Sequence, residues 1–483
     1  MARYDYPLIV IGAGAGGLVV AVGAAKIGKK VLLIEKGNWG GDCTFFGCIP
    51  SKAIIASAKQ AQAIDNANAF GIRISQPSFD GVEALDRAQE IITRIAATET
   101  PEALNEKGID TLTGIASFID PHTIIVPTKD GTTREITGDQ IVIATGSHPR
   151  IPRITGIKDV AYYTNETLFS LKTIPQSLGI IGGGPISCEI AQAFRSLGSQ
   201  VIIIQENEAL IPKEDPEAQR VLQQIFAKSG ITVHLHHEPT EVKKDGDWIR
   251  MNVVDLKSGR DREIRVSHLF VAAGRLPTLS KLNLPAAGVE SGEDGIVVNR
   301  YGQTTQKNIW AVGDVTGEAL YTHVAEAQGR AILQNILLPR LFWKQLPRPS
   351  LVPRVLFTDP EIAAIGLSEA QATLKYGNSI QIYTVPFESV DRAITDGRTE
   401  GFVKIITKKW SGKIIGATIV APRAGEMLME ISLAMNEGIS LRKLATLVHP
   451  YPTYNQAIRM AADQWFVRTI MPLLRRWLGF RFK

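Results

Sequence analysis

Leu8-Ile9-Val10-Ile11 runs straight into Gly12-Ala13-Gly14-Ala15-Gly16-Gly17, an alanine-rich helix continues to about Ile27, and Val31-Leu32-Leu33-Ile34 ends in Glu35. That order of apolar strand, glycine turn, helix and second strand dictates a βαβ unit on a parallel sheet, and its glycines suit it to a dinucleotide. Gly12 allows the tight turn, Gly14 lets the backbone approach a pyrophosphate, Gly17 lets helix and strand pack closely, and Glu35 is placed to accept hydrogen bonds from a ribose. A second copy follows Leu178-Gly179-Ile180-Ile181: Gly182-Gly183-Gly184-Pro185-Ile186-Ser187, a helix carrying Glu189, then Val201-Ile202-Ile203-Ile204. Ser187 replaces the third glycine, so this copy matches less specifically, and a generic α/β turn is its other reading. Two Rossmann-like units and two dinucleotides are expected.

The box after the first unit, Gly40-Gly41-Asp42-Cys43-Thr44-Phe45-Phe46-Gly47-Cys48-Ile49-Pro50-Ser51-Lys52, holds two of the three cysteines. A chain of this length stabilised by disulfides would spread more cysteines along itself. A reactive dithiol needs one close pair at an electropositive helix start, where a thiolate is favoured. Cys43 and Cys48 therefore read as a redox pair, against the alternative of two ordinary buried cysteines. Cys188 reads as a buried helix residue beside the second nucleotide unit.

With Ala144-Thr145-Gly146, Ala273-Gly274-Arg275-Leu276-Pro277-Thr278, Ala311-Val312-Gly313-Asp314-Val315 and Phe357-Thr358-Asp359-Pro360, the chain resembles the flavin-dependent pyridine nucleotide-disulfide oxidoreductases over nearly its whole length. That family includes lipoamide dehydrogenase, glutathione reductase and mercuric reductase. The resemblance implies an α/β fold with two Rossmann-like dinucleotide-binding domains and a C-terminal α+β dimerisation domain that makes a homodimer. FAD would lie on the first unit, with Gly12, Gly14, Gly17, Glu35, Gly41, Thr145, Gly146, Gly274, Arg275, Gly313 and Asp314 as candidate contacts. Asp314 would bond the ribityl chain. NAD or NADP would lie on the second, at Gly182, Gly184 and Glu206. The expected segments are an FAD domain 1–148, a nicotinamide domain 149–274, a return to the FAD domain 275–350, an interface domain 351–467 and a tail 468–483. The implied relay runs from nicotinamide through flavin to the Cys43–Cys48 disulfide, with Cys48 facing the flavin and Cys43 the substrate. Lys52, paired with Glu189, would favour negative charge on flavin and thiolate.

The substrate is read from His449-Pro450-Tyr451-Pro452-Thr453-Tyr454-Asn455-Gln456. Disulfide-using relatives place a histidine immediately before the Pro-Thr pair and a glutamate five residues after it; here those positions are Tyr451 and Gln456. An unperturbed phenol titrates near pH ~10 and is a poor base for a thiol at neutral pH. Mercuric reductase has a tyrosine there, and Val390-Asp391-Arg392-Ala393 with Phe402-Val403-Lys404 is similar to that branch. Reducing a thiolate-bound metal ion needs soft sulfur more than a base. The branch's usual C-terminal cysteine pair and N-terminal metal-carrying domain are missing, and no resident metal site is expected. His449, two residues upstream, is either a structural loop histidine or a substitute base. At the coenzyme site, Glu206 would repel a 2'-phosphate, which favours NADH; Lys213 could compensate, leaving NADPH open.

Charge is local. Residues 468–483 carry Arg468, Arg475, Arg476, Arg481 and Lys483 with no acid, and Leu338–Arg348 adds three more basic residues, against a formal charge of +5 for the whole chain. That distribution argues against nucleic acid and for one anionic surface, the tail being either a peripheral membrane anchor or a helix packed on the dimer. No apolar run is long enough to span a bilayer, and the N-terminus leaves no room for a cleaved signal, so the cytoplasm or another reducing space is expected. Three functions fit: a mercuric-reductase-like enzyme acting on a metal ion or unusual thiol compound, a dihydrolipoamide dehydrogenase-like enzyme, and an electron-delivering partner of a membrane protein.

Overall fold

A computed structural model describes residues 4–75, 80–128 and 131–478, which fall into two compact units. The first takes Met1–Gln176, Glu241–Arg250 and Arg265–Pro347. In its central sheet β1 (Tyr6–Ile11) lies between β2 (Leu32–Glu35) and the strand Thr133–Ile143, parallel to both where they pair, with Val10 opposite Leu33 and Val142. Successive side chains of a strand point to opposite faces. Both faces are covered here: Ile9 and Ile11 join one apolar cluster with Ile34, Phe118 and Ile141, while Leu8 and Val10 join another with Val20, Leu33 and Val142. That double burial is why β1 reads as a continuous apolar run.

The helix α1 (Ala15–Lys26) packs against the helix Thr322–Leu337 almost backbone to backbone, since a Cβ on Gly329 would lie 2.8 Å from the Gly16 carbonyl oxygen. In the basic stretch after that second helix, Trp343 packs edge-on against Trp310 and Tyr301, at 5.3 and 5.5 Å, while Leu341 and Phe342 stay exposed.

The second unit takes Ser177–Thr240, Met251–Ile264 and Arg348–Lys483. The strands Ser177–Ile181, Gln200–Gln205 and Thr232–Leu235 pair in parallel, and the helix Pro185–Ser196 follows the second glycine turn. The C-terminal part is a five-stranded antiparallel sheet ordered Arg354–Leu356, Glu361–Gly366, Ile414–Ala421, Phe402–Lys408, Ile380–Pro386. Helices Ala424–Asn436 and Gln456–Trp465 cover it through Leu428, Ile431, Ile458, Ala461 and Trp465. Lys404 is buried in this part and survives as a charge because Asp215, Glu217 and Glu369 meet its ammonium at 3.0, 2.9 and 2.8 Å.

From Trp465 the chain stays helical through a widened turn, Phe466–Ile470, into Met471–Leu478. Arg468 donates to the Ile382 carbonyl at 3.2 Å, Thr469 donates to Gln381 at 3.3 Å, and Ile470 packs on the sheet's core. The first part of the basic tail is therefore a packed helix. Gly479–Lys483 and the side chains of residues 476–478 lie outside the described residues. No described helix is long and apolar enough to cross a membrane.

Candidate active site

Cys43 sits on the one-turn helix α2 (Gly41–Phe45), and Cys48 opens the long helix α3 (Cys48–Asp65); both are free thiols. The Cys43 thiol is pushed well above its ordinary range, first by its hydrogen bond to Cys48, then by burial and by negative charge on Cys48. Cys48 stands in the first turn of an 18-residue helix, a position that favours negative charge. Thr322, at the start of its own helix, places Oγ1 3.4 Å from the Cys48 Sγ and also hydrogen-bonds Cys43. Lys52 is half-buried and follows Cys48 at i+4, on the same face of α3.

A polar chain borders α2. Arg275 donates through Nε to Ser147 Oγ at 2.7 Å and through Nη2 to the Ser147 carbonyl at 3.0 Å, and it meets Asp42 Oδ2 at 3.2 Å. Ser147 Oγ in turn donates to Asp314 Oδ2 at 2.6 Å. Burial raises the Asp314 carboxyl, while Ser147 and Arg275 pull it back down.

The first glycine turn tests whether FAD fits. A Cβ on Gly12 (φ +108°) would lie 2.3 Å from the Ala144 oxygen and one on Gly17 1.9 Å from the Gly12 oxygen, whereas Gly14 faces open space. No side chain caps α1, so its first amides are available to a pyrophosphate. Gly41 lies against this turn, its would-be Cβ 2.6 Å from Gly14 Cα. Glu35 is buried, with Oε2 accepting the Ala13 amide at 2.9 Å and Oε1 the Gly37 amide at 3.1 Å. It holds the glycine turn, and each oxygen keeps a second lone pair for a ribose hydroxyl. Thr145 Oγ1 donates to the Thr278 carbonyl at 2.8 Å, Gly146 accepts the Thr278 amide at 2.9 Å, Gly274 accepts the Arg150 amide at 3.0 Å, and the Gly313 amide donates to Gln328 at 2.8 Å. The residues present fit the cofactor.

In the second unit Gly182 has φ +106°, Gly184 faces open space ahead of the helix Pro185–Ser196, and Glu206 is exposed directly after the strand Gln200–Gln205. Glu189 is buried and accepts the Phe357 amide at 2.9 Å, so the Phe357–Pro360 motif orients this carboxylate. Cys188 is fully buried, as expected of a structural cysteine.

In the C-terminal stretch Tyr451 is 70% exposed and its Oη donates to Asp391 Oδ2 at 2.8 Å. That hydrogen bond and the Asp391 charge raise the phenol further, away from any role as a base. His449 has Nε2 3.0 Å from Glu430 Oε1 and Nδ1 3.2 Å from the Leu447 carbonyl, and its side chain is only 6% exposed. Both ring nitrogens of His449 are thus within hydrogen-bond distance of an acceptor on its own loop or on the helix Ala424–Asn436. Gln456 opens the helix Gln456–Trp465, and Asn455 donates to Glu430 Oε2 at 3.0 Å. Glu430, Thr322 and Asn165 were not singled out from the sequence; Asp391 stood within a quoted stretch, but nothing in its spacing pointed to Tyr451.

Residues 6–329 match the pyridine nucleotide-disulphide oxidoreductase family, and residues 352–462 match its dimerisation domain. The chain belongs to this family. Pyridine nucleotide-disulphide oxidoreductases are FAD-dependent and use NAD(P)H, and the dimerisation domain supports a homodimer. The mercuric reductase of Streptomyces lividans is 34% identical over 464 residues, 96% of each chain. The dihydrolipoyl dehydrogenase of Haloferax volcanii is 31% identical over 475 residues, 97% of this chain and 98% of that one. Among solved structures, the Cu(II) complex of the HOCl-induced flavoprotein disulfide reductase RclA from Escherichia coli matches with a TM-score of 0.85 at 27% identity, covering 96% of this chain and 100% of that one.

Proposed function

We propose that this oxidoreductase passes electrons from NADH to a soft, thiolate-bound metal ion through the Cys43–Cys48 pair, in the manner of a mercuric reductase. FAD, when bound, supplies the two-electron chemistry between nicotinamide and disulfide. Cys48 carries the negative charge of the reduced pair, stabilised by the start of α3, by Thr322 and, one turn on, by Lys52. Cys43 holds the proton and releases it when a soft ion takes its sulfur as a ligand. Glu189 is held by the Phe357 amide. Glu206 directs the choice toward NADH by opposing a 2'-phosphate.

The observation that carries this reading is the Tyr451–Asp391 hydrogen bond where a dithiol-using relative has its histidine. A phenol that is held protonated cannot serve dithiol oxidation, and His449 is engaged by Glu430 and the Leu447 carbonyl instead. The names of two similar proteins, a mercuric reductase and a Cu(II) complex of a flavoprotein disulfide reductase, point to the same ligand class. The test follows NADH oxidation with Hg(II), Cu(II), lipoamide and glutathione disulfide. Loss of a general base costs a factor of about 100 to 10,000, so the metal ions should exceed the disulfides by at least that lower figure. Fast lipoamide turnover would instead support a dihydrolipoamide dehydrogenase-like enzyme. Peripheral membrane contact through the tail 468–483 would leave out Arg468 and Thr469, which bond to the strand Ile380–Pro386, and among the described residues would use the exposed Leu473.

A further inference from the structure

The helix that bears Cys43 is five residues long, and its N-cap, Gly40, offers no side chain to the free amides. A single turn of this kind is far below the length at which a helix holds itself, so its geometry must come from outside. Asn165, 8% exposed, donates its side-chain amide to Asp42 Oδ1 at 3.2 Å and to the Phe46 carbonyl at 3.3 Å. One buried amide therefore grips both ends of the turn. The other Asp42 oxygen faces Arg275 at 3.2 Å, and Arg275, with only 12% of its side chain exposed, is bound on its far side by Ser147, which leads to Asp314.

We propose that Asn165, Asp42 and Arg275 are positioning residues for the dithiol: they clamp the Cys43 turn at both ends and tie it to Asp314, so that sulfur and cofactor carboxylate are held as one unit. This rests on reading Cys43 and Cys48 as the redox pair. Two carboxylates, Asp42 and Asp314, share the Arg275 guanidinium, and the Asp42 charge is felt at Asp314, whose carboxyl it raises after the larger effects of burial, Ser147 and Arg275. A buried guanidinium is costly unless paired, so the link is under strong pressure to stay made.

The test is alkylation of the reduced holoenzyme by iodoacetamide, located to Cys43 or Cys48 by peptide mass spectrometry across a range of pH, with bound flavin followed by visible absorbance. Asn165→Ala should raise the Cys43 rate about tenfold by letting the turn open, with flavin retained. Asp42→Asn keeps an acceptor for Asn165 but removes a negative charge next to Cys43, so the midpoint of its alkylation profile should move to lower pH, and Asp42→Glu should restore it. Wild-type rates and profiles in both Asn165→Ala and Asp42→Asn would overturn the proposal. So would an equal rise at Cys43 and Cys48 with loss of flavin, the sign of general loosening. If Asn165→Ala does not fold, the Asp42→Asn shift and its rescue decide alone. The assay contains no metal ion or other electron acceptor, so its failure leaves the metal-reduction reading standing, and the reverse.

Discussion

Gly12 and Gly182 open two turns of nearly the same backbone, with φ of +108° and +106°, and the glycines ahead of their helices, Gly14 and Gly184, agree to a degree in φ at −79° and −78°. The side chains around them diverge. In the first turn Gly17 stands where a Cβ would lie 1.9 Å from the Gly12 oxygen; in the second, Ser187 is fully buried with its hydroxyl unpartnered among the described residues. The strand of the first turn ends in Glu35, whose carboxylate is bound back into the turn, while the strand of the second ends in Gln205, bonded to the Ala209 carbonyl at 3.3 Å, with the acid displaced to the exposed Glu206. Glycine placement thus sets the shared turn, and the strand-end residue decides whether a carboxylate braces the turn or the acid stands exposed one residue on.

The comparison breaks most visibly at the third glycine. Gly17→Ala forces a Cβ into the Gly12 carbonyl and should leave the protein without flavin, whereas Ser187→Gly should keep its full flavin content; absorbance per protein separates them, and a flavin-loaded Gly17→Ala variant would mean the two turns tolerate the same residues. Next is coenzyme choice. Glu206→Arg should move the kcat/KM ratio of NADPH to NADH upward by about 10- to 100-fold, the worth of one charge-assisted hydrogen bond. An unchanged ratio would remove Glu206 from coenzyme selection. Glu35→Ala leaves the fully buried Ala13 without its amide acceptor and should cost about 1–3 kcal/mol in thermal or denaturant unfolding. The smallest effect has the opposite sign: Ser187→Ala deletes an unpartnered buried hydroxyl and should stabilise by no more than about 1 kcal/mol. A clear loss of stability would show that the Ser187 hydroxyl has a partner in the working protein.

Both nucleotide turns and the dithiol could be read from the chain because each is a local pattern: an apolar strand, glycines at fixed offsets, two sulfurs five residues apart. Tyr451 was singled out only through the resemblance, as the residue standing where disulfide-using relatives have a histidine. Glu35 was legible as a strand-end acid but not as the brace of its own turn, because its bond to the Ala13 amide spans 22 residues that the pattern does not relate. The partners of His449, Glu430 and the Leu447 carbonyl, were not legible, since Glu430 stands 19 residues away on the helix Ala424–Asn436. The tail's charge suggested a surface contact, yet Arg468 is spent on the strand Ile380–Pro386.

What the sequence determined by itself is what backbone sterics and short spacing dictate: two turns that only glycine can form, buried strands flanking them, and a thiol pair at a helix start. Tertiary structure alone decided which groups stand around those elements. Asn165 reaches Asp42 across 123 residues, Ser147 reaches Asp314 across 167, and Thr322 reaches Cys48 across 274. No periodicity marks such partners, since a hydrogen bond between side chains depends on where two separate backbones come to rest, and that is settled by packing of the apolar faces rather than by the polar residues that profit from it.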